Sequence, residues 1–121
     1  MIVLDASAVL AFLQGEDGSD LVEQELIDGA VCGAANWSEV AQKVARRSGD
    51  WSLARALLLS YDLAVAPVEM IDGERAASLW TEFPHLALGD RLCLALAERL
   101  AAEALTADKA WGSSPRIRQI R

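Results

Sequence analysis

Short, unbroken apolar segments alternate along this chain with longer stretches in which apolar residues return every three or four positions. The segments 2–5, Ala30-Val31-Cys32-Gly33, Leu63-Ala64-Val65-Ala66 and Ala104-Leu105-Thr106-Ala107 have the length and continuous hydrophobicity of strands buried on both faces. Residues 117–120 form a weaker fifth candidate. The periodic stretches predict helices over about 7–13, 20–28, 37–48, 51–61, 70–81 and 90–102, with a short one near 109–112. Gly29, Gly33, Gly49 and Pro67 punctuate them. Within 37–48, Val40, Val44 and Ala45 share one side, while Lys43, Arg46 and Arg47 lie largely on another. The stretch 51–61 presents a broad apolar face of Leu53, Leu57, Leu58 and Tyr61.

Strands alternating with helices predict an α/β chain: a three-layer α/β/α domain around a central parallel sheet of four to five strands, with right-handed crossovers. The 121 residues suit one domain, spanning 1–121, and no repeat or linker divides them. A chain of this size buries roughly two thirds of its unfolded surface, enough for a core. Hydrophobic residues make up 53%, which argues against disorder. No apolar run reaches the ~18 residues of a membrane span. The opening Met1-Ile2-Val3-Leu4-Asp5 has no basic region before its apolar run, so no signal peptide is expected and the setting is cytoplasmic. Cys32 and Cys93 stand in apolar surroundings without C-x-x-C spacing, as buried free thiols do.

The net charge of −7 argues against broad electrostatic binding to nucleic acid. The charge is uneven, however. Residues 1–42 hold eight acids and no Lys or Arg, while 109–121 hold Lys109, Arg116, Arg118 and Arg121 and no acid. A basic end of this kind can hold a phosphate backbone beside an acidic pocket.

Four acids give that pocket its members. Asp5 and Asp108 follow predicted strands; Glu39 and Asp90 open predicted helices. Each alone is explained by capping, because Asp caps helices well and acids suit a first turn. Asn36 and Glu39 even have capping-box spacing. Together they are different. An open parallel sheet brings its strand exits to one edge, where ligands bind. Two unit charges ~4 Å apart repel by roughly 4 kcal/mol at an effective dielectric of 20, so several acids gathered there call for a cation. Oxygen ligands without paired His or Cys suit Mg²⁺ or Mn²⁺. Such a metal hydrolyses phosphodiesters with an activated water. No protein nucleophile is evident: there is no Gly-x-Ser-x-Gly elbow and no phosphate-binding loop.

Val3-Leu4-Asp5-Ala6-Ser7-Ala8-Val9-Leu10-Ala11, the early Glu39, Gly89-Asp90-Arg91-Leu92-Cys93-Leu94-Ala95 and Leu105-Thr106-Ala107-Asp108-Lys109-Ala110-Trp111 resemble the blocks of PIN-domain nucleases, most of all the VapC-type toxins of toxin–antitoxin pairs. The resemblance covers nearly the whole chain. It implies a Mg²⁺-dependent endoribonuclease, with Mn²⁺ able to substitute. It implies catalytic Asp5, Glu39, Asp90 and Asp108, with Asp5, Asp90 and Asp108 as direct or water-mediated metal ligands and Glu39 completing the site or helping to orient the attacking water. It places Ser7 and Thr106 as supporting hydroxyls. It further implies an RNA substrate, a homodimer, and a small VapB-like antitoxin that covers the groove with an apolar segment. Arg91, Lys109 and Arg116 are candidate RNA contacts by their nearness to the acids. The Gly112-Ser113-Ser114-Pro115 insert leaves the register of the last strand open.

Two related chemistries fit poorly. A response-regulator receiver needs adjacent acids after the first strand and an Asp at the end of the third; here stand Asp5-Ala6 and Ala66-Pro67. A haloacid-dehalogenase phosphatase needs a second Asp where Ser7 stands. The alternative to a nuclease is a catalytically silent PIN-like scaffold that binds RNA or protein. His85 reads as a loop residue, the four tryptophans as core or interface aromatics, and Glu69, Asp72 and Glu74 as a solvated helix start.

Overall fold

The computed structural model describes residues 1–121. The strands are β1 (Ile2–Leu4), β2 (Ala30–Gly33), β3 (Leu63–Ala66), β4 (Glu103–Thr106) and β5 (Ile117–Gln119). The helices are α1 (Ala6–Gln14), α2 (Ser19–Asp28), α3 (Ala34–Arg46), α4 (Trp51–Leu59), α5 (Met70–Ser78) and α6 (Leu88–Arg99). Two 3₁₀ turns, Leu79–Thr81 and Lys109–Trp111, finish what periodicity marks as helix at 70–81 and 109–112.

All five strands are parallel, in the order β3-β2-β1-β4-β5. The chain winds outward from β1 through β2 to β3, then crosses back to β4 on the other side of β1. The switch point therefore lies between β1 and β4, and sheets of this kind bind ligands beyond the carboxyl ends of the strands at such a point. The last strand is in register with β4 through Ala104↔Ile117, Leu105↔Arg118 and Thr106↔Gln119. The insert before it folds into a tight turn closed by the Ser114–Ile117 bridge.

Alternation along β1 builds two cores. Ile2 and Leu4 face a cluster with Val9 of α1, Leu26 of α2, Val40 of α3 and Leu58 of α4. Val3 points to the opposite face, against Ala76 of α5 and Cys93 and Leu96 of α6. Helices thus cover both faces, giving the expected three layers. Each large aliphatic side chain so buried contributes about 1.5–3 kcal/mol. Both cysteines are buried and free. No helix is long and apolar enough to cross a membrane.

Two local expectations change. Helix α3 begins at Ala34 rather than 37, because β2 runs directly into it: Gly33 is both the last strand residue and the N-cap. Asn36 therefore sits inside the first turn and caps nothing. The start of α5 is not simply solvated either. Asp72 is 3% exposed and takes two bonds from Arg99 of α6, at 2.7 and 3.0 Å. This fork of two parallel charge-assisted bonds clamps α5 to α6.

Candidate active site

The peptide after β1 turns at once into α1, so Asp5 becomes the N-cap and its carboxylate faces inward, 2% exposed. Oδ1 accepts from the amide of Ala8 at 2.8 Å and from Ser7 Oγ at 2.8 Å. Oδ2 accepts from Thr106 Oγ1 at 2.5 Å. The hydroxyls are themselves held by the loop after β4: Ala107 N donates to Ser7 Oγ at 2.9 Å, and Asp108 N donates to Thr106 Oγ1 at 3.0 Å. The exits of β1 and β4 are thus laced together across the switch point, with Asp5 as the common acceptor. Burial raises the Asp5 carboxyl to about 6; the bonds from Thr106, Ala8 and Ser7 oppose the shift, and the charge of Asp90 adds to it.

Glu39 lies one turn into α3 and is partly buried. Asn36, 1% exposed, donates from Nδ2 to Glu39 Oε1 at 3.1 Å and to the carbonyl of Gly89 at 3.2 Å. It ties α3 to the opening turn of α6. Gly89 itself backs onto Glu39, for a Cβ there would collide with Oε1. Burial, followed by the charge of Asp90, raises the Glu39 carboxyl above its usual range. Asn36 is the site residue that sequence reasoning misplaced: its i, i+3 spacing to Glu39 was visible, but as a cap.

Asp90 stands at the third position of α6, where Oδ2 accepts from Ala87 N at 3.3 Å. Its carboxyl is also raised, by burial and then by the charge of Asp108. Asp108 is exposed and caps the 3₁₀ turn, accepting from Ala110 N at 2.9 Å. Asp90 is therefore the hub: it lies within electrostatic reach of Asp5, Glu39 and Asp108. The approach is pairwise. No three His, Cys, Asp or Glu side chains close on one point as a ready metal cage would.

The cations predicted near the acids have partners within the chain. Arg91 donates to the carbonyls of Ala76 at 2.7 Å and Leu86 at 3.4 Å, pinning α6 to α5 and the preceding loop. Lys109 Nζ bonds the carbonyl of Arg121. Arg116 approaches Glu82 at 3.7 Å. His85 meets the carbonyl of Ala110 at 3.0 Å, as a loop histidine should. Trp37 packs edge-on to Trp51, with ring centroids 5.1 Å apart.

The PIN domain family model matches residues 2–114. No curated protein matches the chain. Among solved structures, a toxin–antitoxin complex from Klebsiella pneumoniae is similar over 100% of this chain and 98% of its own, with 18% identity and a TM-score of 0.81. The Mycobacterium tuberculosis sarcin-ricin loop cleaving toxin VapC20 is similar over 94% of this chain and 97% of its own, at 17% identity and a TM-score of 0.73. VapBC2 from Rickettsia felis, bound to a DNA fragment from its promoter, is similar over 98% of each chain, at 16% identity and a TM-score of 0.73.

Proposed function

Since the chain belongs to the PIN domain family, we propose that it is a metal-dependent endoribonuclease toxin, held in check by a small antitoxin. The observation that carries the reading is Asp90, set at the sheet's switch point within reach of three further acids whose charges oppose its own. Raised carboxyls on Asp5, Glu39 and Asp90 mark a place that a cation would relieve. The oxygen-only donor set, approaching in pairs, suits an ion held by one or two carboxylates with waters and substrate phosphate completing its shell. Asp5, Asp90 and Asp108 would hold Mg²⁺ or Mn²⁺, one or two of them directly and the rest through water. When bound, such an ion polarises the phosphoryl oxygen and lowers the pKa of a coordinated water.

The chain's own residues supply orientation and proton transfer. Ser7 and Thr106 hold the Asp5 carboxylate in one rotamer, and through their backbone donors they fix the Asp108 loop beside it. Asn36 fixes the Glu39 carboxylate against α6. Glu39, partly exposed and with its carboxyl raised above the usual range by burial, is the acid suited to orient the attacking water and take its proton. An apolar groove lined by Leu10, Leu13, Val44, Leu53 and Leu57 supports the partner: Leu53 is 69% exposed, and an apolar antitoxin segment would cover it. The named likeness to toxin–antitoxin complexes supports the same pairing.

The test is cleavage of total RNA by purified protein with Mn²⁺, with EDTA, and with Asp90→Asn. Discrete fragments that require both metal and Asp90 support the reading. Cleavage by Asp90→Asn at the wild-type rate sinks it.

A further inference from the structure

Five of the eleven Lys and Arg residues form ion pairs with acids of the chain, and Arg91 and Lys109 donate to backbone carbonyls. Lys43, Arg46, Arg47 and Arg55 have neither kind of partner. Arg55 stands apart on α4. The other three sit together at the end of α3, all exposed, and they alone line a surface concavity. Lys43 is four residues beyond Glu39, and Arg46 and Arg47 follow at three and four more, so the stripe continues from Glu39 down the same side of the helix. Lys43 is close enough to the acids for its charge to oppose the upward shifts of Glu39 and Asp90.

A stability role accounts for only part of this. Cations near a helix C-terminus complement its dipole. Three at i, i+3 and i+4, however, repel one another, and none of them forms an ion pair with an acid of the chain. In a chain of net charge −7, which pairs most of its other arginines, an unpaired cationic concavity beside an acidic site is set up for an external polyanion. A phosphodiester chain suits the spacing. From Glu39 to Arg46 the helix rises about 10 Å, roughly three nucleotides at ~3.4 Å each.

We propose that Lys43, Arg46 and Arg47 form the track that grips the RNA backbone and leads it along α3 to the acids. This rests on the ribonuclease reading and names the binding surface that goes with it. The compositionally basic end at 109–121 is less free for that role, because its cations have partners within the chain: Arg116 near Glu82, Arg118 on Glu25, Arg121 on Glu16, Lys109 on the carbonyl of Arg121.

The test measures binding of a labelled mixed-sequence single-stranded RNA to the Asp90→Asn protein across a NaCl series at fixed Mg²⁺, with and without Lys43→Gln, Arg46→Gln and Arg47→Gln together. Losing three phosphate contacts should lower the slope of log K against log salt by about 2 and weaken binding on the order of tenfold to a hundredfold at low salt. The charge-conserving triple Lys43→Arg, Arg46→Lys, Arg47→Lys should restore both, which a merely structural role would not require. Arg75→Gln, removing a cation already paired with Glu98, should leave the slope unchanged. RNA binding by the glutamine triple with unaltered affinity and slope overturns the track. If the parent binds no RNA and the wild-type protein cuts none, the ribonuclease reading itself falls, and the track with it.

Discussion

Asp72 and Asp90 occupy the same local position and live in opposite electrostatic worlds. Each is the third residue of its helix, α5 or α6, and each accepts a bond from the backbone amide three residues earlier, Glu69 or Ala87. Asp72 then meets Arg99, which holds its carboxyl below the usual range. Asp90 meets burial and further acids, which hold its carboxyl above that range. The first arrangement is complete in itself and serves the fold. The second leaves like charges unpaired within the chain, and is the arrangement that we propose a cation completes. Helix-start chemistry is common to both, so what separates them is the partner that the tertiary structure supplies.

The sharpest way to break the comparison is to neutralise each acid in turn. Asp90→Asn should lower RNA cleavage roughly a thousand-fold, about 4 kcal/mol of barrier, while the melting temperature holds or rises. Equal loss of both would make Asp90 another structural acid. Asp72→Ala should do the reverse. Arg99, partly exposed, would keep only its looser approach to Glu69, and the fold should lose about 1 kcal/mol in urea, with cleavage per folded molecule unchanged.

A pH titration sharpens the contrast next. Asp5 has its carboxyl raised to about 6 from 3.8, so between those values the folded state holds a proton that the unfolded state has released. For that group, stability is gained as pH falls from 7 toward 4, by about 2 kcal/mol, and lost as pH rises through the window. Asp72, with its carboxyl lowered, contributes stability above the unfolded value that is lost only as pH falls below about 4. Metal-free protein should therefore melt highest in mild acid, and Asp5→Asn should flatten that rise. A melting temperature falling steadily from pH 7 to 5 would contradict the Asp5 assignment. The smallest effect is expected of Gly89→Ala. Its Cβ pushes the Glu39 carboxylate off its bond with Asn36, which should slow cleavage about tenfold with little change in stability. Cleavage at the wild-type rate would detach Glu39 from the chemistry.

The same contrast explains what could be read before the fold was known. The inner strands β1, β2 and β4 were legible because they are buried and so carry unbroken apolar runs; β3 keeps such a run although it is a partly exposed edge, and even the weak last strand pairs as residues 117–119. The gathering of Asp5 and Asp108 followed from parallel topology alone, since strand exits share an edge. The fate of Asp72 was not legible, because Arg99 lies 27 residues away and no local pattern announces the pair. Nor was the use of the cations. The basic tail looked like the nucleic-acid grip by composition, yet its arginines meet Glu16, Glu25 and Glu82 of the chain itself. Asn36 resembled a cap because a strand that flows into a helix without a loop has no sequence signature.

That loopless junction at Gly33 also governs where this chain can change length. One residue inserted between β2 and Asn36 would turn all of α3 by about 100° and slide it ~1.5 Å. Glu39 would swing away from Asp90, Val40 would leave the core, and the cationic stripe would point elsewhere, all without a single substitution. The spacing there is a phase setting, as strict as the identity of the acids. Insertions are tolerable instead in the exposed turn at 112–115, where nothing downstream is rotated against the sheet's working edge.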